Sequence, residues 1–333
     1  MTFKFVDTLK FFFCLCVVAI HCDALNGLNS DAKYYVTQCV LRLAVPYFFV
    51  ASGFFLGKKA TENFDKIDSI YKKYMKRLVV PLVVFELINI VLESLKMLPY
   101  MTGPFIFKEI IRHVVFYPWG ALWFVQACIV GCFLLYPFAS RKKFVVPVVI
   151  GSCLYVWALI CNNYFFLVQD TPFEGYVKIY MDTCISARNG FFVGFVYLAI
   201  GHLLSQIRLN FNNAVMKCSM VLIFVLFILE IVCLKNQASL DDSALYLMQL
   251  FFVPMLFLVS TKINIGFSSR PSKMLRDFSI GVYLLHRPIL SVFELLGLNY
   301  LPNFGLWLIV VIVCLGICYL AFRRNGLMKK ILS

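Results

Sequence analysis

Ten runs of 15 to 21 mostly apolar residues, each broken off by charges or by clusters of Pro, Gly and Asn, take up most of this chain. A helix needs about 20 such residues to cross a hydrocarbon core. The runs at 11–27, 36–56, 78–92, 119–139, 144–161, 188–204, 215–234, 245–261, 278–296 and 304–322 therefore read as spanning helices. The expected fold class is all-α, a polytopic membrane bundle of about ten transmembrane helices, with 1–333 forming a single integral-membrane domain. Composition agrees: 62% of the 333 residues are apolar, 14% are charged and the mean hydropathy is +0.85. No water-soluble core hides that much apolar surface. Disordered, collagenous, coiled-coil and small disulfide-framework classes are excluded, as are soluble Rossmann or barrel enzymes.

The formal charge of +14 comes from 31 Lys and Arg against 17 Asp and Glu. With the N-terminus inside, 22 of those basic residues fall in inner segments and 7 in outer loops, while Arg42 and Arg287 lie within spans. Such an asymmetry over short loops predicts that both termini are cytoplasmic and the number of crossings is even. Membrane lipid then accounts for the charge and no nucleic-acid partner is expected. The anticipated location is the plasma membrane, as a multi-pass protein of a bacterial inner or cytoplasmic membrane. Lys4 and Lys10 before an apolar run resemble a secretory leader, yet no small-x-small pair precedes Cys22, so the first span is expected to be retained. No repeat is visible and no extramembrane segment exceeds about 30 residues. Chemistry therefore has to be done by the bundle.

Most of the 13 Cys fall inside spans, where Cys is a small apolar packing residue, and no ligand-like spacing suggests a metal. Cys22 and Cys184 fall near the outer face, and the sequence leaves their pairing open.

Ionisable groups inside a bilayer are costly and are the default functional candidates. They are His21, Arg42, Glu86, Glu230, His286, Arg287 and Glu294, with Asp7, Lys10 and Arg188 at span ends. Lys10 and His21 are eleven residues apart, about three turns, so they share a helix face ~16 Å apart along the axis. Glu86 and His286 each stand ~13 Å up their helices from the inner end, and Arg42 ~22 Å up, at 1.5 Å per residue. His21, Glu86 and His286 thus share a level. A carboxylate there suits the holding of an imidazole tautomer for general-base work, although Glu86 serves equally well as a structural lock for Arg287. Arg42 and Arg188 are candidates to hold an anion or line an outer vestibule, or to pair with acids such as Asp23 or Asp182. Glu230 and Glu294 have no evident spacing partner. His113 reads as a solvated outer-loop residue and His202 as structural. Lys58, Lys59, Lys66, Lys72, Lys73, Lys76 and Arg77 form the densest basic patch, which serves topology and anionic lipid or docks a polyanionic donor such as a nucleotide thioester.

Six stretches in this order resemble the acyltransferase 3 family: FVDTLKFFFCLCVVAIHC; RLAVPYFFVASGFFLGKK, with Arg42, Ser52 and Gly53; KRLVVPLVVFE around Arg77 and Pro81; ALWFVQ around Trp123; RNGFFVGFVYLAIGHLL, with Arg188, Gly194 and Gly201; and FSIGVYLLHRPIL, with Tyr283 and His286. The resemblance covers nearly the whole chain. It implies a membrane O-acyltransferase moving an acyl group from cytosolic acyl-CoA, acetyl-CoA being the expected donor, to a hydroxyl of a glycan or lipid-linked saccharide. His21 is implied as the general base, with Glu86 and His286 as catalytic partners. Lys10, Lys72, Lys73 and Arg77 are candidates for the donor, and Arg42, Trp123, Arg188 and Tyr283 for the acceptor. The family commonly has Arg where this chain has Lys10, which forgoes bidentate phosphate geometry. No appended outer hydrolase-like domain follows the tenth span, so transfer staged through one is not expected. The competing reading is a proton-coupled secondary transporter or exporter of an anionic solute, with His21 and Glu86 relaying protons.

Overall fold

The computed structural model describes residues 3–207, 213–267, 269–298 and 302–323. Among these every regular element is helical: α1 Lys4–His21, α2 Ser30–Cys39, α3 Ala44–Glu62, α4 Ile67–Met97, α5 Gly103–Val115, α6 Trp123–Ala139, α7 Val146–Ile160, α8 Phe173–Cys184, α9 Phe195–Gln206, α10 Asn213–Leu234, α11 Gln249–Lys262, α12 Ser269–Leu295 and α13 Asn303–Arg323. The basic residues at 208, 324, 329 and 330, which enter the inner-face count, lie outside the described residues.

Each of the ten apolar runs falls on a helix. Five segments are long and apolar enough to cross a membrane: Ser30–Glu62, Phe64–Met97, Ala214–Leu234, Pro271–Leu295 and Asn303–Arg323. Four shorter apolar helices are Trp123–Ala139, Val146–Ile160, Gly190–Gln206 and Gln249–Lys262. Several boundaries differ from the sequence reading: α1 ends at His21 rather than 27, α6 begins at Trp123 and α11 at Gln249. The run at 36–56 is broken at Val40, where the backbone leaves the helical region and a 3₁₀ turn at Leu41–Leu43 leads into α3. In the other direction, α4 runs on past 92 to Met97, through Glu93 and Lys96. The short helices α5 and α8 occupy what read as outer loops, and α2 runs from one into the start of the run at 36–56.

The chain divides into two compact units. The first comprises 1–45, 80–122 and 261–333. Here α1 packs against α12 and α13. Buried Asp7 accepts from the Ser272 hydroxyl at 2.8 Å, the Cys14 thiol donates to the Ser279 carbonyl at 3.1 Å, and the Trp307 indole donates to the Leu15 carbonyl at 3.2 Å. These bonds fix the rotation of α1 about its axis, which decides what His21 faces.

The second unit comprises 46–79 and 123–260. A short π-helical turn, Gly190–Gly194, and α9 pack between α6 and α7. A Cβ on Gly53 of α3 would lie 2.2 Å from the Leu198 carbonyl oxygen, and one on Gly201 of α9 would lie 2.1 Å from that of Val50. The glycines are required because the two backbones touch, which is how helices gain packing energy where no hydrophobic effect drives them together. Leu56, Ala60, Ile67, Ile70, Tyr71, Cys132 and Ala139 form a core cluster of this unit. No disulfide joins any of the described cysteines, Cys22 and Cys184 included.

Candidate active site

Helix α1 is unbroken from Lys4 to His21, so the eleven-residue spacing of Lys10 and His21 holds as three turns of one helix, with both side chains half-buried. The His21 ring meets the His286 ring of α12 with centroids 5.2 Å apart and planes 38° apart. His286 is fully buried. Its Nδ1 lies 2.7 Å from the Tyr283 carbonyl oxygen and 3.3 Å from that of Val282. A carbonyl only accepts, so Nδ1 carries a proton and donates it there, which leaves Nε2 as the other nitrogen of the ring. That Nε2 has no hydrogen-bond partner.

Glu86 holds neither imidazole. It is buried on α4, where Oε1 accepts from the backbone N–H of Trp119 at 3.4 Å and Oε2 has no partner. The tautomer of His286 is set instead by main-chain carbonyls of its own helix. Nor does Glu86 lock Arg287, whose guanidinium reaches Glu93 at 3.9 Å. One turn beyond Glu86, buried Asn89 donates to the Trp119 carbonyl at 3.3 Å, leaving its Oδ1 without a partner. Together these residues grip the segment 119–121 from one side. Helix α12 holds it from the other, through the Tyr283 hydroxyl donating to the Ala121 carbonyl. Gly120 has φ +69°, and a Cβ on it would come within 3.0 Å of Arg287 Cβ and Cγ. Only glycine fits this left-handed position so close to α12.

The sequence missed this segment because backbone donors leave no mark in a pattern of side chains. Asn89 had a signal, three residues after Glu86 on the same helix face. Glu294, which lacked a spacing partner, is paired after all: Lys96 bridges Glu93 at 2.6 Å and Glu294 at 2.8 Å, and Ser291 donates to Glu93 at 2.8 Å. His113 is half-buried rather than solvated. It stacks on Trp119 at 4.4 Å with planes 17° apart, and burial pushes its pKa down.

Arg42 is half-buried on the turn Leu41–Leu43, which packs on α1 and α2. Trp123, Arg188, Lys72, Lys73 and Arg77 belong to the second unit. Trp123 is buried 6.1 Å from Phe49, with the Arg188 guanidinium 5.7 Å from its ring. Arg188 does pair with acids, among them Asp241 (3.2 and 3.3 Å) and Asp242 (2.9 Å). Asp23 binds Lys33 at 2.7 Å. Glu230 accepts from the Tyr164 hydroxyl and from the backbone N–H groups of Leu247 and Met248, a structural set of bonds just ahead of α11. Buried His202 stacks on Phe144 at 5.3 Å, as a packing residue does. Lys72, Lys73 and Arg77 are exposed on α4, and Asp68, Ser69, Lys72, Lys73 and Lys76 line an open cleft of about 460 Å³. Among the described residues no His, Cys, Asp and Glu side chains gather as a metal site.

A family model described as an acyltransferase domain matches residues 3–323. Relatives include an amino-acid racemase of Enterococcus faecalis, 26% identical over 205 residues, which covers 60% of this chain and 28% of that protein. A serine/alanine racemase of Enterococcus gallinarum is 24% identical over 333 residues, 97% of this chain and 46% of that protein. The chain spans less than half the length of these relatives. No solved structure matches it significantly.

Proposed function

The chain belongs to the acyltransferase 3 family, and from that premise we propose that it is a membrane O-acyltransferase carrying an acyl group, acetyl first among candidates, from cytosolic acyl-CoA to a hydroxyl of a glycan or lipid-linked saccharide. Racemisation goes with relatives more than twice as long as the matched part and is not carried over. The observation that carries the reading is the imidazole pair: the ring centroids of His21 and His286 are 5.2 Å apart, and the helix that carries His21 also bears Lys10 three turns away.

In this reading His21 takes the proton of the acceptor hydroxyl as its oxygen attacks the thioester carbonyl carbon. The C–S bond breaks, the ester forms, and the thiolate of CoA leaves with the proton from His21. Lys10, and separately the exposed Lys72, Lys73 and Arg77, are candidates for the phosphates of the donor, for which clustered cations are suited. Arg42 and Tyr283 remain candidates for the acceptor. Trp123 and Arg188 are less so, since two carboxylates already occupy that guanidinium. We further propose one integral-membrane domain crossing the plasma membrane ten times with both termini in the cytoplasm, supported by the helix under each apolar run and by the 22 to 7 division of basic residues.

The test is transfer of radiolabelled acetyl from acetyl-CoA to glycan in membranes, compared between the parent and His21→Ala at matched protein levels. Loss of a general base costs about 10²- to 10⁴-fold. Transfer retained by the alanine variant moves the base elsewhere, and solute flux without any thioester favours the transporter.

A further inference from the structure

Helix α5 is an amphipathic helix turned inside out. Phe107, Ile111, Val114 and Val115 recur at i, i+4, i+7 and i+8, the stripe by which a soluble helix meets its core. Here that stripe faces away from the protein, its four residues being 64%, 47%, 45% and 56% exposed. The polar residues occupy the opposite face and are turned inward. Glu109 and Arg112 pair at 2.8 Å with side chains 13% and 25% exposed, and half-buried His113 stacks on Trp119. In water this arrangement is unfavourable twice over, because the apolar area stays wet while polar groups lose solvent. Against hydrocarbon it is the favourable one. The similarly short helix α8 shows the ordinary case: Lys178 and Asp182 share its exposed face with Tyr176 and Ile179.

The depth of α5 follows from α4. From Val80 to Met97 every exposed residue of α4 is apolar, namely Val80, Val83, Leu87, Ile88, Val91 and Leu95. At about 1.5 Å per residue this stretch is ~26 Å long, close to the ~30 Å of a hydrocarbon core. The chain after it turns tightly, since the Tyr100 and Met101 N–H groups both donate to the Met97 carbonyl, at 2.9 and 3.0 Å. Helix α5 therefore starts level with the end of α4. Its other end lies deeper. His113 stacks on Trp119, whose backbone is bonded by Glu86 and Asn89. Those residues stand ~16 Å and ~12 Å below Met97 along the axis of α4. We propose that α5 is sunk obliquely into the leaflet in which α4 ends, the outer one in the orientation proposed above, with Phe107, Ile111 and Val114 against lipid acyl chains. Acyl chains are what surrounds α4 at the same depth. Lys108, exposed at the edge of the stripe, has the reach to hold its ammonium among the head groups. Irregular backbone at such a depth is tolerated only where protein satisfies it. Residues 119–121 meet that condition through Glu86, Asn89 and Tyr283. The inference does not rest on the acyltransferase reading.

The experiment adds a tryptophan to the stripe of the full chain in phosphatidylcholine vesicles, as Phe107→Trp and, separately, Ile111→Trp. The emission gained over the four native tryptophans is then read. It is expected to lose most of its intensity when the lipid carries bromine on its acyl chains, and little of it to aqueous acrylamide. Quenching by acrylamide in place of the brominated lipid puts the stripe in water and overturns the proposal. Quenching by neither means that protein covers it, a second copy of this chain included, and overturns it as well. A measurement without any substitution guards against misfolding: the unmodified chain is photolysed in vesicles whose phospholipid bears a diazirine in the acyl chain, and the adducts are mapped by peptide. Adducts on Phe107, Ile111 and Val114, alongside those on Val83 and Leu87 of α4, are the expected result. Adducts on α4 with none on α5 reject the lipid contact.

Discussion

Two arginines show how differently a half-buried cation can be treated in this chain. Arg188 is satisfied on every side: Asp241 takes two of its nitrogens, Asp242 a third, and Ser186 and the Trp123 ring complete the shell. Arg287 has a single long contact, to Glu93 at 3.9 Å, and its Nε–H is buried without an acceptor. A fully compensated charge holds structure and has nothing left to offer a ligand. A half-compensated one carries an unmet hydrogen-bonding demand into the fold.

The contrast breaks if Arg188 turns out to bind substrate. Arg188→Ala leaves the carboxylates of Asp241 and Asp242 facing each other across a vacated position, with Asp241 15% exposed. Removing one partner of a buried ion pair costs about 3–5 kcal/mol, and the half-open Asp242 places the expected loss at the lower end. Thermal unfolding in detergent should show this as the largest stability effect among the site candidates. Adding Asp241→Asn and Asp242→Asn to the same chain should recover most of it. The apparent KM for the glycan should stay unchanged in whatever protein folds, and a KM rise without loss of stability makes Arg188 a substrate contact.

The opposite effect is expected at Gly120. Gly120→Ala forces a side chain into a left-handed conformation, at about 1–2 kcal/mol, and presses its methyl on Arg287. Its larger consequence should be functional: the segment shifts relative to α12, and the acceptor KM rises several-fold while that for acyl-CoA holds. Equal changes in both constants mark Gly120 as a general packing position and dissolve the contrast with Arg188.

Much of this was legible because apolar runs and helical spacing are local properties. The level shared by His21 and His286 followed from counting 1.5 Å per residue, and their rings do meet. The break inside 36–56 was not legible. No Pro or Gly marks Val40, and the turn Leu41–Leu43 exists because it packs on α1 and α2. Glu93 and Lys96 looked like the end of a span, yet α4 continues through them because Ser291 and Glu294 of α12 complete the network. Glu86 was rightly singled out as a buried acid and wrongly partnered, since its partner is a main-chain amide in a loop.

The smallest effect concerns the rim of the segment. His113 stacks on Trp119, and its Nδ1 lies 2.7 Å from the Tyr117 carbonyl. Burial, ahead of that bond, lowers its pKa, so the folded form disfavours the imidazolium. The unfolded ring titrates near 6.5. Protons therefore bind the open form more readily, and the stacked arrangement is fully stable above that pH and weakens as pH falls through it and below. Tryptophan fluorescence of the full chain should change over that range and lose the change in His113→Phe, which keeps the stack without the proton. An unaltered transition in the phenylalanine variant assigns the titration to another group. If the fluorescence change is accompanied by a weaker acceptor KM at low pH, the rim and the segment held by Tyr283 move as one piece; if KM is flat, the grip of Glu86 and Asn89 on Trp119 is enough to hold the segment by itself.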